Sequence, residues 1–304
     1  MAESIFGEKR LYLFHRGQLN DDRLFYTSTA DGVNWGADSS LPAHYSYNGP
    51  SAVAFKNEIY LFHRGSINDQ RIWYTRSSNG SVWSDDKSID NHWTRERPAA
   101  AASEDKIYCV HRGMDMDENL YISDSGEDMQ WSDDKPITFT DKKGTVYCRS
   151  EHYPAVCYFN GRLYCVHKGQ WTDNRIFYTY LEGEKWAVET PIPGISTQNS
   201  VSLAVFNGKL FCAHRGNGHF HSNIYIAHTG VGNNWVRSER MLPGETDGTP
   251  ALCTFNSRLY CAYRGNTFDD QLYITSTSDG ENWAEAKAIH DYRSYASPTL
   301  VVSP

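Results

Sequence analysis

The chain lacks the features that would mark a membrane protein or a helical one. No apolar run approaches the ~18–20 residues of a membrane-spanning helix, and leucine and alanine seldom recur at helical spacing. Positive charge is outweighed, with 29 Lys and Arg against 37 Asp and Glu and a formal net charge of -8. There is thus no cationic footprint for nucleic acid and no electrostatic draw to an anionic bilayer. Residues 1–10 carry no apolar segment of the kind a secretory signal needs. The expected location is therefore the cytoplasm, or outside the cell after release without a signal peptide. No Cys-x-x-Cys pair occurs among the 7 cysteines, so spacing offers no zinc site, and neither metal nor cofactor is expected. Aromatic residues are abundant instead, at 14% with 20 Tyr and 9 Trp, which favours strands.

The chain also repeats itself. Leu11–Gly17 (LYLFHRG) returns as IYLFHRG at 59, IYCVHRG at 107, LYCVHKG at 163, LFCAHRG at 210 and LYCAYRG at 259. Tryptophans at 35, 83, 131, 186, 235 and 283 keep nearly the same step, and an apolar-aromatic stretch begins between the two landmarks at Leu24, Ile72, Leu120, Ile176, Ile224 and Leu272. A period of about 48 residues filled by short strands fits the blades of a propeller rather than a helical solenoid.

Each copy reads as four strands. A Pro-led apolar run (from Pro50, Pro154 and Pro250) is the inner strand, the LYLFHRG string the second, the LFYT-like string the third, and the segment containing the Trp the outer one. Asn160-Gly161 and Asn207-Gly208 supply tight hairpin turns. The chain starts just before a second strand and ends on Pro298–Ser303, which matches an inner strand. The expectation is a single all-β domain over 1–304: a six-bladed β-propeller of four-stranded blades whose first blade is closed by the C-terminal strand.

Six cysteines fall at repeat-equivalent strand positions. Cys109, Cys165, Cys212 and Cys261 stand where Leu13 and Leu61 do, and Cys157 and Cys253 where Val53 does, so they read as small core hydrophobes. Cys148 lies in the one long insertion, where it reads as a loop residue and the single candidate for a reactive thiol.

Ser28-Thr-Ala-Asp31-Gly32-Val-Asn-Trp35, Ser77-Ser-Asn79-Gly80-Ser-Val-Trp83 and Ser276-Thr-Ser-Asp279-Gly280-Glu-Asn-Trp283 resemble the Asp-box turn of sialidase-type propellers, though here Asp and Gly are adjacent. Gly183–Trp186 and Gly232–Trp235 look like decayed copies. In that family the turn is structural and lies opposite the active site, so the resemblance implies a fold and a ligand face rather than a reaction. In repeat character and architecture the chain is also similar to the propeller lectins of fungi and bacteria, which implies a sugar site in each cleft between blades.

The face away from these turns carries the most regular polar pattern. Arg16, Arg64, Arg112, Lys168, Arg215 and Arg264 end the second strands, and Asp21, Asp69, Asp117, Asp173 and Asp269 follow in the next hairpin. The connections between blades add Tyr45, Tyr47, Trp93, Arg95, Arg97, Arg149, Tyr153, Arg293 and Tyr295. Guanidinium and carboxylate groups beside an aromatic ring suit a sugar, forking to adjacent hydroxyls while the ring covers a C–H face. The competing reading is a structural one: Arg and Asp fix the hairpin, and the repeated His is a buried spacer. Copies with Lys168 and His221 are expected to be the weakest.

Repetition separates the functional classes. A catalytic centre is single and asymmetric, whereas weak sites in tandem raise avidity by about 10²–10⁴. The favoured reading is a multivalent glycan-binding protein without catalytic residues. A sialidase-like glycoside hydrolase is the alternative, for which Arg95, Arg97, Arg149, Arg293, Tyr153, Glu96 and Glu151 supply residue types but no Arg-Ile-Pro string. A protein-interaction platform is the third reading, compatible with Met114, Met116 and Trp171 in loops.

Overall fold

The computed structural model describes residues 6–218, 222–237, 241–266 and 269–304. Six antiparallel sheets are arranged as a propeller. Blade 1 orders its strands Thr299–Val302, Leu11–Arg16, Arg23–Thr29 and Ser39–Tyr45 from the axis outward, and blade 2 orders Ser51–Phe55, Glu58–Arg64, Arg71–Ser77 and Lys87–Trp93. Blade 3 uses Ala99–Ala102, Ile107–Arg112, Leu120–Asp124 and the two-residue Lys135–Pro136, followed by an extra hairpin, Thr138–Asp141 with Gly144–Tyr147. In blade 4, Ala155–Phe159, Arg162–Lys168 and Arg175–Glu182 are followed by Lys185–Trp186 and Thr190–Ser196, both paired with the third strand. Blade 5 comprises Val201–Phe206, Lys209–Arg215, Ile224–Thr229 and Val236–Arg237, and blade 6 comprises Ala251–Phe255, Arg258–Arg264, Gln271–Thr277 and Lys287–Arg293. The inner strands pack against one another in sequence around the axis.

The ring closes where the sequence implies. Thr299–Val302 pairs antiparallel with blade 1, with Leu11 opposite Val302 and Phe14 opposite Thr299. Just beyond it, the Ser303 amide donates to the Arg10 carbonyl at 2.9 Å, and the Arg10 amide donates to Ser303 Oγ at 2.9 Å.

The second strands are buried along most of their length, and all six residues of Leu11–Arg16 are buried. Neighbouring blades cover both faces, so the string is continuously apolar and aromatic instead of alternating. The inner-to-second turns take the left-handed backbone that Asn-Gly permits, with φ of 48° and 76° at Asn160-Gly161.

The tryptophans depart from the sequence reading. They do not lie in the outer strands, apart from Trp186; the outer strands of blades 1, 2, 3 and 6 begin at Ser39, Lys87, Lys135 and Lys287, after the Trp. Leaving the ladder lets the ring turn sideways into the preceding blade. Trp83 meets Phe14 edge-on at 5.3 Å and Trp131 meets Phe62 at 5.6 Å. The tight turns before Trp35, Trp83 and Trp283 are held by their own polar side chains, as where Asp31 Oδ1 accepts the amides of Val33 and Asn34 at 2.8 and 2.7 Å. Those bonds draw the Asp31 carboxyl well below the ordinary carboxylate range.

The outer strands share a kink. In blades 1, 2, 4 and 6 they slip register against the third strand, with positive φ at Ala43, Asn91, Gly194 and His290. A bulge of this kind bends the strand and re-aims the residues beyond it. In blade 3 the extra hairpin sits at this kink, and the outer strand resumes past the hairpin: Ile137 donates its amide to Leu120, and Cys148 donates to Ile137 at 2.9 Å while accepting from Leu120 at 2.9 Å. Cys148 therefore occupies the position of His44 and His92 and is fully buried. The expectation of a reactive loop thiol is overturned, because burial pushes its pKa up, with Glu189 adding to the shift. Cys109, Cys165, Cys212 and Cys261 are buried as expected, whereas Cys157 and Cys253 are only partly so.

Candidate functional site

The repeated hairpins between second and third strands, together with the connections between blades, form one face of the ring. The connections entering blades 2, 3 and 1 are stitched to the hairpin of the blade they enter: the amides of Tyr47, Arg95 and Tyr295 donate to the carbonyls of Gly65, Gly113 and Gly17 at 3.0, 3.2 and 3.0 Å. In the hairpins of blades 1, 2, 3, 4 and 6 the aspartate grips a residue of the third strand, not the cation that ends the second. Asp21 forks to Arg23 at 2.8 and 2.7 Å, and Asp173 holds Arg175 in the same way. Asp69 takes Arg71 at 2.9 Å and the Trp73 indole at 3.0 Å, while Asp117 and Asp269 accept the hydroxyls of Tyr121 and Tyr273 at 2.8 and 2.7 Å. Arg23 holds the Asp21 carboxyl below its usual pKa against the opposing effect of burial. The glycine of His-Arg-Gly is required by the same aspartate: a Cβ on Gly65 would stand 2.5 Å from Asp69 Cγ.

The strand-ending arginines turn inward. Arg64 is 6% exposed and donates to the carbonyls of Arg95 at 2.8 Å and Ile67 at 3.2 Å, with its guanidinium 4.7 Å from the Tyr47 ring centroid. Arg16 repeats this, bonding the Ser46 carbonyl at 2.9 Å and lying 5.1 Å from the Tyr295 ring. Desolvation lowers the Arg64 pKa from its ordinary value. Elsewhere the same place is filled differently. Lys168 is ion-paired to Glu151, Arg215 bonds Gln198 at 3.0 Å, and Arg264 bonds Asp270 at 2.7 Å. Arg112 is buried, 3.8 Å from Glu118.

One of these clefts opens into a defined hollow. A cavity of ≈ 560 Å³ between the hairpins of blades 2 and 3 is lined by Tyr47, Arg64, Ile67, Gln70, Arg95, Glu96, Asp115 and Met116, among others. Gln70 bars its outer side, donating to Asp115 Oδ1 at 2.6 Å and accepting the Asp115 amide at 3.1 Å. Tyr47 and Met116 are exposed, at 44% and 72%. The space thus offers an apolar wall, donors and acceptors together.

The remaining expected residues are spread out. Trp93, Arg149 and Arg293 close outer strands, facing Arg71, Asn119 and Gln271, and are exposed. Tyr153 belongs to the axis instead, where the buried Arg97 lies over its ring at 4.5 Å and reaches across to the Pro298 carbonyl at 3.2 Å. The arginines of the hydrolase reading are engaged at separate points: Arg95 with the Asp115 carbonyl, Arg149 with Asn119, Arg97 with Pro298. Glu96 accepts the Tyr153 amide at 2.9 Å and Glu151 is taken by Lys168. His221 lies outside the described residues. The histidine row is internal: His15, His63 and His111 are buried and meet Asp38, Asp86 and Asp134 at 3.1, 3.0 and 3.0 Å.

Ile67, Gln70 and Asp115 escaped the sequence reading. An apolar residue at the hairpin tip, seen as Leu19, Ile67 and Trp171, was the signal available for the first.

No family model matches the chain, and no curated protein matches it. Solved structures share its fold. BP39L lectin from Burkholderia pseudomallei aligns with a TM-score of 0.65 at 12% identity, over 94% of this chain and 82% of that one. A triple mutant of AofleA from Arthrobotrys oligospora aligns with a TM-score of 0.62 at 9% identity, over 97% and 93%. Trypanosoma rangeli sialidase aligns with a TM-score of 0.59 at 13% identity; the match covers 85% of this chain but only 50% of the sialidase.

Proposed function

We propose that the protein is a carbohydrate-binding propeller that holds sugars in clefts between neighbouring hairpins. The observation that carries this reading is the hollow beside Tyr47, where an exposed ring, cationic groups and carboxylates face one small space. The ring covers a sugar's C–H face, Arg95 donates to hydroxyls, and Glu96 and Asp115 accept from them. Arg64 serves as the strut under the ring. The fold shared with a bacterial lectin gives independent support.

The ring-on-arginine pair recurs at Arg16 and Tyr295, so these two clefts are the best matched. The others differ in the residue beside the strand-ending cation, and the Lys168 cleft is occupied by its own ion pair. Sites of ~1 mM, each worth ~4 kcal/mol, become useful when linked.

A glycan array followed by calorimetric titration tests the reading. The expected result is a saturable sugar ligand whose affinity falls about tenfold, ~1.4 kcal/mol, in Tyr47→Ala at unchanged melting temperature. An array without hits, together with no heat from simple sugars at millimolar concentration, would overturn it.

A further inference from the structure

Beyond the sugar clefts, the joint between blades 3 and 4 holds a donor set of another kind. The first three joints each place the residue after the outer-strand kink against the next blade. At the first joint His44 approaches Asp86, itself bonded to His63, and at the second His92 approaches Asp134 and His111. At the third, Cys148 replaces the first histidine and Glu189 replaces the aspartate. The Cys148 thiol, a His167 ring nitrogen and a Glu189 carboxylate oxygen there lie within 4.8 Å of one another.

Three further observations give this cluster the character of a ligand set. His167 is 0% exposed, and its Nδ1 lies 2.9 Å from the Lys168 carbonyl, which fixes the ring and makes Nδ1 the protonated nitrogen. Nε2 then presents a lone pair toward Glu189 Oε1, 2.9 Å away, yet among the described residues neither atom makes a hydrogen bond of acceptable geometry. With a neutral ring, two acceptors face one another in this buried site, a gap that a proton or a metal cation can fill. At the first two joints the equivalent ring nitrogens do bond their carboxylates, His63 Nε2 to Asp86 and His111 Nε2 to Asp134, each at 3.0 Å.

We infer that Cys148, His167 and Glu189 bind a divalent transition-metal ion, zinc by the chemistry of the donors, tying the outer strand of blade 3 to blade 4. Thiolate, imidazole and carboxylate are all accepted zinc ligands, and the carbonyl behind His167 is the outer-shell partner that a metal-bound histidine uses. Charge also balances: one thiolate and one carboxylate neutralise a dication, so the filled site buries no net charge. The thiol proton leaves to solvent on binding. The fourth position falls to water, reached from the side of Glu189, whose side chain is 19% exposed. Sequence spacing concealed the set because its members come from three separate segments, one a strand and two the connections beside strands.

The test uses the untagged full chain, stripped with chelator and titrated with Co²⁺ and then Zn²⁺. One equivalent of Co²⁺ should bind with an intense near-ultraviolet thiolate charge-transfer band, be displaced by Zn²⁺, and raise the melting temperature. Cys148→Ser should lose the band and at least ~10-fold in affinity while melting like the stripped wild type in chelator. His92→Ala, at the neighbouring joint, should keep both. Absence of Co²⁺ binding by the wild type, or a cobalt spectrum that lacks the thiolate band or survives in Cys148→Ser, would overturn the inference. Neither outcome depends on sugar binding.

Discussion

Removing residues 299–304 probes the closure of the ring most directly. The deletion takes away the strand opposite Leu11–Phe14 and exposes one edge of blade 1. Leu300 and Val301 are each 6% exposed and pack into two different inter-blade clusters, one shared with blade 6 and one with blade 2. At ~1.5–3 kcal/mol for each buried aliphatic side chain, Leu300, Val301 and the partly buried Val302 contribute about 4–8 kcal/mol. That is comparable with the whole net stability of a typical protein, ~5–15 kcal/mol. Urea unfolding followed by tryptophan fluorescence should therefore show the truncated chain unfolded, or with a midpoint moved far below that of the full chain. A synthetic peptide of residues 297–304 at millimolar concentration should restore part of the loss by refilling the blade. A truncated protein with the same midpoint and slope as the full chain would refute the reasoning.

Other perturbations have equally definite outcomes. Gly80 has φ of 73°, and a Cβ there would stand 2.0 Å from Tyr12 Oη, so Gly80→Ala should cost about 2–3 kcal/mol in chemical denaturation. With Tyr12→Phe already present that cost should shrink by ~1 kcal/mol, because the two side chains meet across a blade joint. Trp83→Ala opens the gap beside Phe14 and should cost about 3–5 kcal/mol by the same measurement. His214 is buried, and desolvation lowers its pKa to about 4 from 6.5. Between those values the unfolded chain binds the proton and the folded chain does not, so stability from this group, full above pH 6.5, is lost as pH falls toward 4, by about 3 kcal/mol. His214→Asn should flatten that part of the pH–stability curve; an unchanged slope would show that the imidazole does not titrate this way.

The blade count, strand order and ring closure are all legible in the repeat, because LYLFHRG and the Trp recur in register and Pro298–Ser303 visibly lacks a following partner. The direction of the arginines is not. In a half-buried strand alternation reveals which way a side chain points, but Leu11–Arg16 is covered on both faces and carries no alternation to read. The aspartates are opaque for a related reason: Asp69 sits in the hairpin loop just ahead of Arg71, the first residue of the third strand, and loop geometry, unlike strand register, leaves no periodic trace. Cys148 reads as a loop residue because the hairpin ahead of it separates it from its repeat landmarks. The backbone hydrogen bonds of Cys148 with Ile137 and Leu120 reveal that the outer strand has resumed. The hollow at Tyr47 depends on Gln70 and Asp115 meeting across two blades, a contact that no single repeat encodes.

The closing strand also sets a timetable for biogenesis. Leu11–Arg16 leaves the ribosome well before its partner Thr299–Val302 is made, about 15–60 s apart at ordinary elongation rates. Throughout that interval the nascent chain carries an unsatisfied row of amides and carbonyls on an otherwise finished sheet, which is a template for pairing with any neighbouring polypeptide. Overproduction should accordingly put most of its insoluble product in chains stalled or cleaved short of residue 299.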